Sequence, residues 1–249
     1  MKHVTRRFVL AGLLLCWAPV TFAQTVDDIV EKHLTALGGR AALGKVTSRS
    51  MTGNITLSTP AGPVSGPIEI VNERPNKVRT LINLDLTALG VGKVVIDQRF
   101  NGTTGYAIDT LQGNRDITGD QLEVMKNSTF PNPLMNYKDM GIAVELGGKE
   151  KVGDRDAYVL ILKPKSGPAM RQYVDAESYL PVRVVMRLTV PPVGEIEQTT
   201  DLLDWRDVDG LKVPSQIKTS SNVQTLTIDV TKVEHDKPID QSLFSKPAN

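Results

Sequence analysis

Cysteine is nearly absent from this 249-residue chain: Cys16 is the only one, so no intramolecular disulfide can form. Histidine is scarce as well, and three histidines with one cysteine do not make a zinc cluster of the usual kind. No apolar run approaches the roughly 18 residues of a membrane-spanning helix. A formal net charge of +1 lacks the strongly basic footprint of a nucleic-acid binder, so nucleic acid is not an expected partner. Aromatic residues make up only 5% of the chain, which argues against an aromatic-lined sugar groove. The 40% hydrophobic and 23% charged content fits a globular chain long enough for one large β-rich or α/β domain.

Residues 1–23 have the pattern of a secretory signal. Lys2, Arg6 and Arg7 precede a short apolar stretch, Phe8 to Ala18, and Thr21-Phe22-Ala23 offers small residues for cleavage. Export would leave a domain over 24–249, with 26 basic and 28 acidic residues and no cysteine. Such a chain coheres through its core alone. Lipid anchoring at Cys16 is not expected, because Leu15 stands where lipoprotein processing needs a small residue. Thr5-Arg6-Arg7 matches a twin-arginine signal only in part, so the export route stays open.

After this segment, Thr25 and Asp28 form a capping-box pattern at the start of a helix. Val26, Ile29, Val30, His33, Leu34 and Leu37 follow at helical spacing, and Gly38-Gly39 marks the end. Arg40 to Leu43 fits one further turn. The period then changes to two. Met51, Gly53, Ile55 and Leu57 alternate with polar residues; Ile68 and Ile70 flank Glu69; Val78, Thr80, Ile82 and Leu84 repeat the pattern. Pro60-Ala61-Gly62-Pro63 and Arg74-Pro75-Asn76 are turns, and Asn101-Gly102 is a hairpin turn after a strand from Lys93 to Phe100.

A second helix is expected from Thr118, with Leu122 and Met125 on one face, and another short one over Leu134 to Met140. Strands resume at Ile142–Leu146, Asp156–Leu162, Met170–Asp175, Val182–Leu188, Glu197–Trp205, Leu211–Lys218 and Leu226–Val233. Eleven or twelve strands without alternating helices predict a mainly β (α+β) chain, an antiparallel meander curled into an incomplete barrel. Helices laid loosely on the concave face of such a sheet would leave an apolar cavity.

The catalytic inventory is thin. No G-x-S-x-G, H-E-x-x-H or phosphate-loop pattern occurs, and Gly90-Val91-Gly92-Lys93 has neither the spacing nor the Ser or Thr of such a loop. Asp204, Asp207, Asp209 and Gly210 do not follow a calcium-loop spacing and fit a turn. Asp175 and Glu177 are the one carboxylate pair worth weighing for hydrolysis, and they fall in a hairpin turn. His235 lies in a polar stretch and reads as solvated, whereas His33 lies on the apolar stripe of the first helix. No catalysis, metal or cofactor is expected.

Several segments, in order, resemble the periplasmic outer-membrane lipoprotein-sorting proteins of the LolA-like superfamily. They are Arg74-Pro75-Asn76; Phe100-Asn101-Gly102-Thr103-Thr104-Gly105-Tyr106; Tyr173-Val174-Asp175 with Tyr179-Leu180-Pro181-Val182-Arg183; Asp207-Val208-Asp209-Gly210-Leu211-Lys212-Val213-Pro214; and Leu243-Phe244-Ser245-Lys246-Pro247. The opening Ala36-Leu37-Gly38-Gly39-Arg40 is similar to uncharacterised members. The resemblance implies a half-barrel with lid helices over a hydrophobic cavity, and a soluble, monomeric periplasmic carrier of a lipid or acylated lipoprotein without turnover. It also implies an inner- or outer-membrane protein complex as a possible partner, and a gating arginine, Arg74. An envelope sensor or assembly scaffold on the same fold is the alternative. Candidate cavity and lid residues are Ile29, His33, Leu37, Ile55, Leu57, Ile68, Ile70, Ile82, Leu84, Leu122 and Met125.

Overall fold

The computed structural model describes residues 24–190 and 193–247; the signal-like segment and Cys16 lie outside them. Helix α1 spans Val26–Ala36. Its start is the capping box expected at Thr25: Asp28 N donates to Thr25 Oγ1 at 3.2 Å, and Thr25 N donates to Asp28 Oδ2 at 3.1 Å. The helix stops where Gly38 adopts φ +124°, a conformation a side chain would strain, with Gly210 O and Leu211 standing where a Cβ would be. A second short helix, α2, covers Arg40–Lys45.

Four long strands follow: β1 (Ser48–Thr59), β2 (Gly62–Glu73), β3 (Lys77–Leu86) and β4 (Gly92–Phe100). Two shorter ones are β5 (Gly105–Asp109) and β6 (Arg115–Ile117). Helix α3 (Gly119–Asn127) and a 3-10 turn at Pro133–Met135 interrupt the meander. It resumes as β7 (Ala143–Val152), β8 (Arg155–Lys163), β9 (Met170–Asp175), β10 (Pro181–Val190), β11 (Gly194–Val208), β12 (Leu211–Ser220) and β13 (Thr225–His235).

All thirteen strands belong to one antiparallel sheet in the order β6-β5-β4-β3-β2-β1-β13-β12-β11-β10-β9-β8-β7. The first and last strands therefore pair with each other, and the sheet ends at β6 and β7, on either side of the helical interruption. The half-barrel is open where the chain leaves the meander. The one strand without a sequence signal is β6, whose three residues, Arg-Asp-Ile, are too short for an alternation to register. The second helix begins at Gly119 as expected, but Leu134–Met140 forms a 3-10 turn and bends instead of a regular helix, because Pro133 and Gly141 leave too little uninterrupted chain.

Cross-strand pairs fix which side chains share the concave face. Ile55 lies opposite Ile228, which lies opposite Ile217, which lies opposite Leu202. On the other side, Ile68 pairs with Ile82 and Ile82 with Ile96. Gly53 and Gly66 share this face, and both have a neighbouring strand's carbonyl packed where a Cβ would stand. Two missing side chains on the inner surface let the sheet bend sharply there.

The concave face is filled unevenly. Over β8, β9 and β12 it is sealed by α1: Ile29, Val30 and Leu34 pack with Leu134, Leu160, Leu162, Val174 and Leu211, all essentially inaccessible. Each such aliphatic side chain contributes about 1.5–3 kcal/mol. Over β1–β4 and β13 there is no such helix. Ile55, Ile68, Leu84, Leu86 and Val94 are buried there, but Val64, Ile70, Ile82, Ile96, Leu226 and Ile228 are only partly covered.

Candidate functional site

Two side chains and one backbone carbonyl hold α1 in place through its single histidine. His33 is fully buried, with Nδ1 3.0 Å from the carbonyl oxygen of Tyr179. That oxygen can only accept, so Nδ1 carries the proton, leaving Nε2 to accept from Asn132 Nδ2 at 3.1 Å and Gln172 Nε2 at 3.4 Å. Burial pushes the imidazole down to about 4, against a smaller opposing effect of the Tyr179 carbonyl. His33 is thus a neutral cross-link between α1, the residues after α3 and β9, with no free nitrogen for a ligand.

The turn between β2 and β3 ties the rest of the lid. Arg74 Nη2 donates to the Leu43 carbonyl at 2.7 Å and Nε to the Val46 carbonyl at 2.6 Å. These oxygens end α2, where helix carbonyls lack intrahelical partners, and a guanidinium fork suits two at once. Asn76 Nδ2 donates to the Lys126 carbonyl in the last turn of α3 at 3.2 Å, and Phe130 N donates to the Pro75 carbonyl at 2.8 Å. One three-residue turn therefore contacts α2, α3 and the segment following α3.

Helix α3 straddles the open seam. Asp120 Oδ2 accepts from Thr189 N at 2.8 Å and Asn127 Nδ2 donates to the Ser166 carbonyl at 2.9 Å, both on the β7–β13 side. Leu122 lines a recess of about 370 Å³ with Tyr106, Ile117 and Phe244 on the other side. Further out, Arg40 links Glu31 to the Met135 carbonyl at 2.8 Å, and Tyr137 donates to Asp27.

The candidate residues fall into groups that their alternation could not separate. Ile29, His33 and Leu37 are packed under the main core of α1. Ile55, Ile68 and Leu84 form the floor of the second apolar cluster, and Ile70, Ile82 and Leu57 are half-covered on the same face. Leu122 and Met125 are partly exposed on α3.

One other reading changes, that of His235. His235 is not solvated: its side chain is 4% exposed, with Nδ1 3.0 Å from Asp209 Oδ2 and Nε2 accepting from Arg49 Nε at 3.0 Å. The polar neighbours that made it look solvated point elsewhere in the strand. Asp175 is buried in its turn, accepting from Ser178 N at 2.7 Å and Glu177 N at 3.1 Å. Burial pushes its carboxyl up, but these hydrogen bonds outweigh it and hold the group ionised below the usual carboxylate range. That is opposite to the raised pKa a general acid needs. Among the described residues, no group of three or more His, Cys, Asp or Glu could hold a metal ion, and no helix is long and apolar enough to cross a membrane.

No family model matches the chain, and no curated protein matches its sequence. Solved structures do match its shape. A LolA superfamily protein from Nitrosomonas europaea superposes with a TM-score of 0.57 at 13% identity, covering 90% of this chain and 99% of the other. A DUF1329 family protein from Desulfovibrio piger gives 0.56 at 14% identity, covering 88% and 97%. A domain assigned to outer-membrane lipoprotein sorting, from Vibrio parahaemolyticus, gives 0.54 at 10% identity, covering 86% and 95%. The chain therefore has the open half-barrel fold of the LolA superfamily.

Proposed function

We propose that the chain is an exported, periplasmic carrier or binder of a lipidic ligand, such as a lipoprotein acyl group, whose hydrocarbon lies against the concave face of β1–β4 and β13. The observation that carries this reading is the uneven cover of that face. Ile70, Ile82, Ile96, Leu226 and Ile228 form a continuous apolar surface left partly open beside a fully sealed one. Sheltering hydrocarbon there is worth about 0.8 kcal/mol per CH₂, so a modest acyl chain gains enough to leave water. The fold shared with a lipoprotein-sorting domain supports the same reading.

In this reading α2, α3 and the Pro133–Met135 turn form the lid, and Arg74 is its latch. Its two bonds to the C-terminal end of α2 are short and charge-assisted and lie outside the strand ladder, so a ligand can break them without unfolding the sheet. The protein acts as a monomer over residues 24–249 and binds without chemical turnover. Gentle purification followed by native mass spectrometry and lipid extraction tests it. Reproducible co-purified or transferable lipid is expected; a chain that neither carries nor accepts lipid contradicts the proposal.

A further inference from the structure

A cleft of about 200 Å³ sits where the ends of α1 and α2 meet β1, β9 and β11, lined by Arg49, Asn132, Gln172, Leu202, Trp205 and Lys212 among others. Two of its twelve lining residues are cationic and none is acidic. Arg49 occupies the inner face of β1, stacked 5.3 Å from the Phe130 ring centroid, and its Nε donates to His235. Among the described residues its Nη atoms make no hydrogen bond and no carboxylate pairs with it. Burial pushes its guanidinium down to about 10, so it keeps its charge at neutral pH. Trp205 adds a second unmatched donor, an indole Nε1 that is buried without an acceptor among the described residues.

A half-buried cation without a carboxylate beside a buried donor without an acceptor is costly unless something anionic completes them. The cleft also has an apolar exit. Leu202, which lines it, begins the cross-strand series Leu202–Ile217–Ile228–Ile55. Three strand spacings of about 4.8 Å carry this series onto the half-covered face of β1–β4.

We infer that this cleft is a head-group site, and that the ligand is a single-chain lipid anion whose carboxylate or phosphate bonds Arg49 while its tail follows the series to Ile55. The inference rests on the carrier reading above and specifies its ligand class. The guanidinium offers two free Nη groups to a bidentate oxyanion, and His235, locked by Asp209, holds the guanidinium plane toward the cleft.

The exported full chain, purified and stripped of lipid, is titrated with dodecanoate, methyl dodecanoate and inorganic phosphate by calorimetry and by the emission of Trp205, the only tryptophan after residue 23. Dodecanoate is expected to bind at least tenfold more tightly than its methyl ester. Arg49→Gln should reduce dodecanoate to the level of the ester and leave the ester unchanged, while Arg49→Lys keeps part of the preference. Equal affinity for acid and ester in the unmodified protein overturns the head-group site and leaves the carrier reading standing. A parallel loss of both ligands in Arg49→Gln also overturns it. Phosphate binding as tight as dodecanoate makes this a small-anion site without a lipid tail, and equally contradicts the inference. Absence of binding by acid and ester together overturns both readings. The acid–ester comparison needs no variant, so it decides even if Arg49→Gln fails to fold.

Discussion

Arg74 reaches from the β2–β3 turn to the carbonyl oxygen of Leu43 at 2.7 Å, so that turn and the last turn of α2 are joined by a single side chain. Arg74→Leu removes this bond and its companion to Val46, leaving two helix-end carbonyls without a protein donor. The expected local cost is about 2–4 kcal/mol for two charge-assisted bonds. Hydrogen exchange should show faster opening of residues 40–46 with unchanged protection in β1 and β13, and bound lipid should be released at a different rate. Unchanged exchange and release would remove Arg74 from the lid.

Asn76 makes the corresponding contact to α3. Asn76→Ala should loosen residues 119–127 by about 1 kcal/mol, read as increased exchange or proteolysis there, with little change in global melting. Loss of global stability without local loosening would mean that the turn serves the sheet and not the lid.

His33 supplies a pH dependence. Its folded pKa of about 4 lies below the ordinary value of 6.5, so between these values the unfolded chain binds more protons than the folded one. The stabilisation is complete above about pH 6.5 and is lost as pH falls toward 4, about 3 kcal/mol in all. Thermal melts from pH 7.5 to 4.5 should fall more steeply for the unmodified protein than for His33→Asn. Parallel curves would show that His33 does not titrate in this window.

Much of this was legible beforehand. The capping box at Thr25, the stop at Gly38-Gly39 and the long strands follow from local chemistry, and the gap between β6 and β7 coincides with the only break in the period-two pattern. What alternation cannot report is the neighbour across the cavity. Ile29 and Ile82 look equally apolar in sequence, yet α1 is sealed on one side of the bowl and the other side stays open. Arg49 gave no signal because a single arginine near the start of a strand usually faces water; only its pairing with His235 places it inside. His33 lies in the core, in keeping with its place on the apolar stripe of α1, whereas His235, read as solvated from its polar neighbours, is covered as well: both are cross-links, one within the core and one at its rim.

The two sides of the bowl should respond differently to truncation. Ile29→Ala removes a completely buried side chain and should cost about 2–5 kcal/mol. Ile82→Ser, on the half-covered face, should cost less stability but weaken binding of an acyl chain several-fold. Urea melts and lipid titrations on the same two proteins check this, and the reverse pattern would place the ligand elsewhere.

The ligand's hydrocarbon chain is expected to end on the half-covered apolar face. A fatty acid carrying a diazirine at its tail end, photolysed in the lipid-stripped protein and mapped by peptide mass spectrometry, locates that end directly. Crosslinks are predicted on the concave face of β1–β4 and β13, at Ile70, Ile82, Ile96 or Ile228. Crosslinks confined to the outer surface, such as Leu111 or Val223, or none above a protein of unrelated fold, would contradict it.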